Sequence, residues 1–143
     1  MTTPERRGQL LFAHGARDPA WALPFQATAR RCQQLRPGDA VVLGFLEFMR
    51  PGLIEAGEQL VAASCTVVDV VPLFLGAGGH VRKDIPVLLA QLRAEHPQVR
   101  WQLQRAIGEA DAVIEAMAQV ACAASSDMSS TNTSSAHPNG AAA

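Results

Sequence analysis

An α/β domain, with a mainly parallel four-stranded sheet flanked by helices, is the fold class this sequence predicts, and three observations carry it. Four short apolar runs alternate with four segments of helical periodicity, the pattern of stacked βα units. Three of those runs are apolar almost throughout, as strands covered on both faces must be. The fourth, 99–104, alternates Val99, Trp101 and Leu103 with Arg100, Gln102 and Gln104, which predicts an edge strand with one wet face. Right-handed crossovers then restrict the topology to a few possibilities.

The first strand is the run 9–13, leaving through His14-Gly15. Asp18-Pro19 is an N-cap followed by a proline at the first helical position. Trp21, Phe25, Ala29, Cys32 and Leu35 then recur at helical spacing, while Pro24 kinks this helix or delays its regular part. Pro37-Gly38-Asp39 is a stop and a turn. The second strand is 40–46, ending at Glu47. Pro51 opens a second helix that turns Leu53, Gly57, Leu60 and Val61 inward. The third strand, 66–71, gives way to a long, largely apolar connection from Pro72 to His80 with Gly76, Gly78 and Gly79. Such loops are often functional, and their glycines permit positive φ and let a ligand approach the backbone. The third helix, 84–95, has its register set by Ile85, Leu88, Leu89 and Leu92, with Pro86 tolerated in its first turn. The last helix spans 108–122 and carries Val113, Ile114, Met117 and Val120 on one face. Residues 1–124 therefore form the expected domain, and the serine-rich stretch 125–143 has too little to bury and reads as a disordered tail.

At 143 residues the chain is one domain by size and needs no covalent staple. A net charge of −1, five phenylalanines and no tyrosine argue against a nucleic-acid partner. No apolar run reaches the roughly 18 residues of a membrane span. Residues 1–7 lead straight into a strand with no signal-peptide pattern, so a cytoplasmic protein is expected. Cys32, Cys65 and Cys122 are too dispersed for a zinc pair or a redox motif and read as small buried hydrophobes.

His14, Glu47 and His80 lie 33 residues apart in turn, each directly after a strand. All strands of a parallel sheet point the same way, so the three leave from one carboxyl-end rim, where open α/β folds bind ligands. Each alone is an ordinary polar loop residue; three agreeing strand exits are a candidate site. Arg17, Arg50 and Lys83 repeat the spacing, each three positions further on, and Arg82 adds a cation. The bland alternative for the cations is a solvated charged face. Two imidazoles and a carboxylate suit Fe, Co, Ni or Zn better than Mg or Ca. The cations suit a polyanionic partner. His96, before Pro97 at a helix end, reads as structural, and Asp69 within the third strand faces a subunit contact or a neighbouring helix. Neither GxxxxGK[ST] nor GxSxG occurs, and the 76–79 glycines are a weak phosphate signal.

LLFAHGARDPAW at 10–21, FLEFMRP at 45–51 and PLFLGAGGHVRKDIP at 72–86 resemble the small sirohydrochlorin chelatases, the CbiX-type and related ferrochelatase family, over 10–122. The resemblance implies a single chelatase-type domain that pairs as a homodimer. It also implies insertion of Co²⁺ or Fe²⁺ into sirohydrochlorin, an anionic tetrapyrrole, in cobalamin or sirohaem biosynthesis. The metal is then a substrate and no tightly bound cofactor is implied. His14 and His80 match the family's metal-site and catalytic histidines, and Glu47 matches the acidic position after the second strand. Ala16 stands where many relatives carry a small hydroxyl residue. Arg17, Arg50, Arg82 and Lys83 become anchors for substrate carboxylates, with the apolar loop from Leu73 to Leu75, Gly78 and Gly79 against the macrocycle. The rival expectations are a non-catalytic metal carrier, or a regulatory α/β binding module that uses the glycine loop for phosphate.

Overall fold

The computed structural model describes residues 4–76 and 78–130, with side chains for all of these except His80 and 124–130. It divides into two compact units on either side of the Glu109–Ala110 link. The first unit contains the sheet, made of β1 (Arg7–Ala13), β2 (Ala40–Phe45), β3 (Val67–Pro72) and β4 (Arg100–Leu103), with α1 (Leu23–Leu35), α2 (Leu53–Ala62) and α3 (Gly79–Glu95) between them. The second contains α4 (Asp111–Ser130). The strands are all parallel in the order β2-β1-β3-β4, so β1 and β3 are central and β4 is an edge, as its alternating pattern requires.

The register explains which residues form the core. Leu10 sits opposite Val42 on one side and Val70 on the other, and Val68 opposite Trp101. Leu10, Phe12, Val68, Val70 and Trp101 therefore share a face, and they pack with Leu53, Ala56 and Leu60 of α2 and Ile85, Leu89 and Leu92 of α3. Burying each large apolar side chain, Phe12, Leu60 or Leu92 for example, contributes about 1.5–3 kcal/mol. On the opposite face, at the carboxyl end of the strands, Ala13, Ala22 and Phe45 form a smaller cluster with Phe25, Leu43, Met49 and Leu73 against it. That cluster lies directly beneath the strand exits. Asp69 is also on this face. It accepts from Gln104 Nε2 at 3.2 Å and lies 3.7 Å from the Arg7 guanidinium, closing a polar row across β1, β3 and the β4 exit.

Several elements depart from the sequence expectation, each for a local reason. Asp18 accepts from Ala20 N–H at 2.9 Å and Pro19 follows it as expected, but they cap a 3-10 turn, Pro19–Ala22. Regular helix waits until Leu23, which leaves Pro24 in the first turn of α1, where its missing donor costs nothing. No residue of α1 itself is buried, and Trp21 and Leu35, expected on its inner face, are exposed. Helix α3 begins at Gly79 rather than near Asp84, so Pro86 lies in its interior and removes the donor that would bond the Arg82 carbonyl. Only Cys65 among the three cysteines is buried; Cys32 is half-buried and Cys122 exposed. Burial raises the Cys65 thiol above its ordinary pKa, with the nearby Arg6 charge opposing, so it stays protonated at neutral pH. α4 continues past Ala124 to Ser130, so residues 125–130, placed in a disordered tail by composition, are helical. Extending an existing helix costs far less than nucleating one, which lets Ser125, Ser126 and Asp127 continue it. Residues 131–143 of that tail lie outside the described residues.

Candidate active site

Three strand exits converge on one rim because backbone bonds tie them together. The Ala13 carbonyl accepts from Leu46 N–H at 2.8 Å, and the Phe12 carbonyl accepts from Leu73 N–H at 2.7 Å. The segments after β2 and β3 are thus held on either side of the segment after β1. Gly15 packs so closely under the Glu47 carbonyl that a Cβ at position 15 would overlap it. The peptide after His14 must be glycine for this contact, so the His-Gly pair joins two exits as well as carrying an imidazole. Gly108 plays the same part on the β3 side. Its N–H donates to the Phe74 carbonyl at 2.9 Å, and a Cβ there would run into the backbone of Leu75.

Among the described residues, two concavities flank the β1 exit. The larger has a volume of about 580 Å³ and is walled by His14, Trp21, Phe25, Phe74, Leu75 and Ile107, among others. Its walls are mostly apolar, with the His14 imidazole and Thr28 as the polar exceptions. The His14 ring lies 4.3 Å from the Phe74 ring centroid to centroid, tilted by 37°, and Trp21 Nε1 donates to the His14 carbonyl at 3.3 Å. The 3-10 turn thereby anchors one wall to the histidine's own backbone. Leu75 is 68% exposed although it is a large apolar side chain at the lip. The smaller concavity, about 340 Å³, lies between the β1 and β2 exits and is lined by Arg17, Gln26, Phe48, Met49 and Arg50 with Ala16 and Pro19. Arg50 Nε is 3.4 Å from Glu55 Oε2 and mostly exposed, a pairing that adds little to stability.

The fold therefore brings together some of the expected residues and separates others. His14 follows β1 directly and Glu47 follows β2 by two positions. His80 is not directly after β3: it is the second residue of α3, placed there because the helix starts early. Arg17 and Arg50 share a groove, but Lys83 lines neither concavity, and Arg82 borders a separate small pocket with Phe74, Ile85 and Gln104. Arg17 and Arg50 sit on loops that can turn toward each other. Arg82 and Lys83 sit on consecutive positions of a helix, about 100° apart around its axis. None of the described glycines has positive φ. A Cβ on Gly76, Gly78 or Gly79 would meet no atom within 4 Å, so these glycines leave space rather than make a strained turn. Phe74 lies in the apolar loop 73–75 expected to face a ligand, whereas sequence alone missed Trp21, Phe25 and Ile107 as cavity walls and Phe48 as a groove wall. Trp21, Phe48 and Phe74 do share a signal, being aromatic and within seven positions of a strand exit. Among the described residues the one convergence of three possible ligand atoms is Glu58, Glu95 and His96, within 4.8 Å of one another, and it includes none of the expected ligands. It lies at the amino end of the sheet, where Gln91 already holds Glu95, and belongs to a different surface.

A parallel α/β lobe with an imidazole in a mostly apolar cleft at its carboxyl rim, next to a two-arginine groove, is an α/β domain with its candidate ligand site at the strand exits. The chain belongs to the CbiX family, whose model it matches over residues 8–124. It is 39% identical over 83 residues to a sirohydrochlorin cobaltochelatase of Saccharolobus islandicus (strain L.S.2.15 / Lassen #1), covering 57% of this chain and 62% of that one. It thus spans less than two thirds of that relative. A CbiX protein from Marinobacter aquaeolei VT8 superposes with a TM-score of 0.74 at 29% identity, covering 85% of this chain and 98% of the other. The fold also matches the sirohydrochlorin chelatase SirB of Bacillus subtilis, solved with cobalt (TM-score 0.74, 24% identity, 82% of this chain and 50% of that one). SirB solved with Fe³⁺ matches at a TM-score of 0.71. Among the described residues no helix is long and apolar enough to cross a membrane.

Proposed function

We propose that this protein is a sirohydrochlorin chelatase that inserts Co²⁺ or Fe²⁺ into the tetrapyrrole on the route to cobalamin or sirohaem. The observation that carries the reading is His14, which leaves the central strand into an apolar cavity of about 580 Å³ with two guanidinium groups in the adjoining groove. Membership of the CbiX family and the name of the Saccharolobus relative support the same reaction.

The chemistry asks for what this rim holds. Insertion breaks both inner pyrrole N–H bonds, passes the protons to bases, and gives the ring-nitrogen lone pairs to the metal. A neutral imidazole accepts such a proton or hands over a metal ion, and imidazole with carboxylate suits cobalt and iron. His14 is assigned that role, with His80 as its partner from the first turn of α3 and Glu47 as charge balance or proton relay. Binding has to stay weak enough for the metal to leave, which favours an open ligand set over a closed cage. Phe74, Trp21 and Leu75 supply apolar surface to the macrocycle, and Arg17 and Arg50 supply charge-assisted hydrogen bonds to its carboxylates. The gaps at Gly78 and Gly79 admit its edge. Arg82 and Lys83 are assigned to the outer rim. One lobe offers half a cleft, and the solved SirB chains have length for a second lobe of this size. A homodimer would supply that second lobe here, and cytoplasmic residence fits a soluble substrate and a reduced metal.

The test is to mix the protein with sirohydrochlorin and Co²⁺ or Fe²⁺ and follow the visible spectrum. Multiple turnovers faster than the uncatalysed rate are expected. Stoichiometric metal uptake without turnover would replace the reading with a metal carrier.

A further inference from the structure

Among the described residues of the rim, Phe48 is the one whose backbone is bent against its residue type. Its φ is 62°, the left-handed region that bulky side chains rarely adopt, and Met49 N–H donates to the Glu47 carbonyl at 2.7 Å to close a γ-turn around it. The turn is held from both ends. Leu46 N–H is bound to the Ala13 carbonyl, Phe45 N–H donates to the Pro51 carbonyl at 2.8 Å, and Gly15 packs beneath Glu47. Core packing does not repay this conformation, because the Phe48 side chain stays 60% exposed. What the ring does touch is Arg17, whose guanidinium carbon lies over it, 5.2 Å from the centroid. Both side chains line the same groove as Arg50.

We propose that Phe48 is a positioning residue: its ring fixes the Arg17 guanidinium at the groove so that Arg17 and Arg50 act as one preorganised grip on a substrate carboxylate. This rests on the chelatase reading of the rim. A guanidinium over a ring is attracted by the ring's quadrupole and keeps its in-plane N–H groups free for a carboxylate. Ordering a long side chain beforehand removes part of the entropy that binding would otherwise cost. The strained turn is the means by which an aromatic ring is presented at this point instead of being folded into the core.

Three variants test it, with KM for sirohydrochlorin and for the metal measured separately. Phe48→Leu and Phe48→Gly should raise the tetrapyrrole KM about two- to fivefold and leave the metal KM alone. Phe48→Trp should restore it. Glycine adopts φ 62° without strain, so Phe48→Gly should match or exceed the wild-type Tm while binding substrate worse, an outcome that a purely structural role for Phe48 would not give. On an Arg17→Gln background, Phe48→Leu should add almost nothing. Binding of uroporphyrin, a metal-free polycarboxylated ring, followed by its fluorescence, reads the grip without turnover. A wild type that binds the porphyrin but inserts no metal sinks the chelatase reading, and the grip is then judged on the variants' porphyrin Kd. Flat tetrapyrrole KM and porphyrin Kd in Phe48→Leu and Phe48→Gly, or full additivity with Arg17→Gln, overturns the role of Phe48.

Discussion

The two concavities on either side of the β1 exit have opposite characters although the segment 19–28 contributes residues to both. On the β3 side, aromatic and aliphatic side chains surround a single imidazole. On the β2 side, two arginines and a glutamine line a shallower groove with Phe48. An apolar wall gains from covering a macrocycle face in proportion to the area covered. A guanidinium gains only where it meets a fixed anion, and loses that gain as salt rises. On the proposed reading, the difference teaches that one rim can divide a large amphiphilic substrate between two neighbouring surfaces, with the reacting centre assigned to the dry one and the orienting charges to the wet one.

The largest effect should come from the dry side. Replacing His14 by Ala should lower insertion at least about a hundredfold, the usual scale for a lost acid–base or ligand group, with circular dichroism unchanged. His80→Ala should do the same. Near-normal steady-state rates in both would detach the chemistry from this cavity. Next comes Gly15→Ala, which places a methyl against the Glu47 carbonyl and has to push the β1 and β2 exits apart. Both concavities share that junction, so kcat and both KM values should worsen together and Tm should fall; loss of only one KM would show that the two sides are independent. Arg17→Gln or Arg50→Gln should act on the wet side alone. A charge-assisted contact of about 1–3 kcal/mol, discounted for screening at this exposure, corresponds to a several-fold rise in tetrapyrrole KM that shrinks with added salt. A change in metal KM would contradict the division. The smallest effect is expected from Lys83→Gln, since Lys83 lines neither concavity; a rise as large as that of Arg17→Gln would place it in the groove after all.

Much of this was legible in the chain. Apolar runs at 9–13, 40–46 and 66–71 alternating with helical periodicity dictate a parallel sheet, because each run can be covered only by the helices between them. The alternation around Trp101 marks β4 as an edge. Strand exits follow from strand ends, so His14, Glu47 and the arginines after them were placed on one rim by counting alone. Local signals also determined the Asp18 cap and the delay that Pro24 imposes on α1.

Tertiary structure decided what depends on direction and distance. Equal spacing could not distinguish Arg50, on a loop that turns toward Arg17, from Lys83, on a helix whose rotation carries it elsewhere. Nor could it separate a loop histidine from His80, since helix α3 starts wherever the first hydrogen-bonded turn becomes favourable, here at Gly79. The cavity walls Phe25 and Ile107 come from distant parts of the chain, and nothing local links them to His14. The left-handed turn at Phe48 is imposed by the Gly15–Glu47 contact and the bonds around it, which overrule the residue's own preference for negative φ. Sequence determines those properties that each residue carries by type and local period. The fold decides which side chains meet, because meeting depends on contacts between segments that the chain order does not contain.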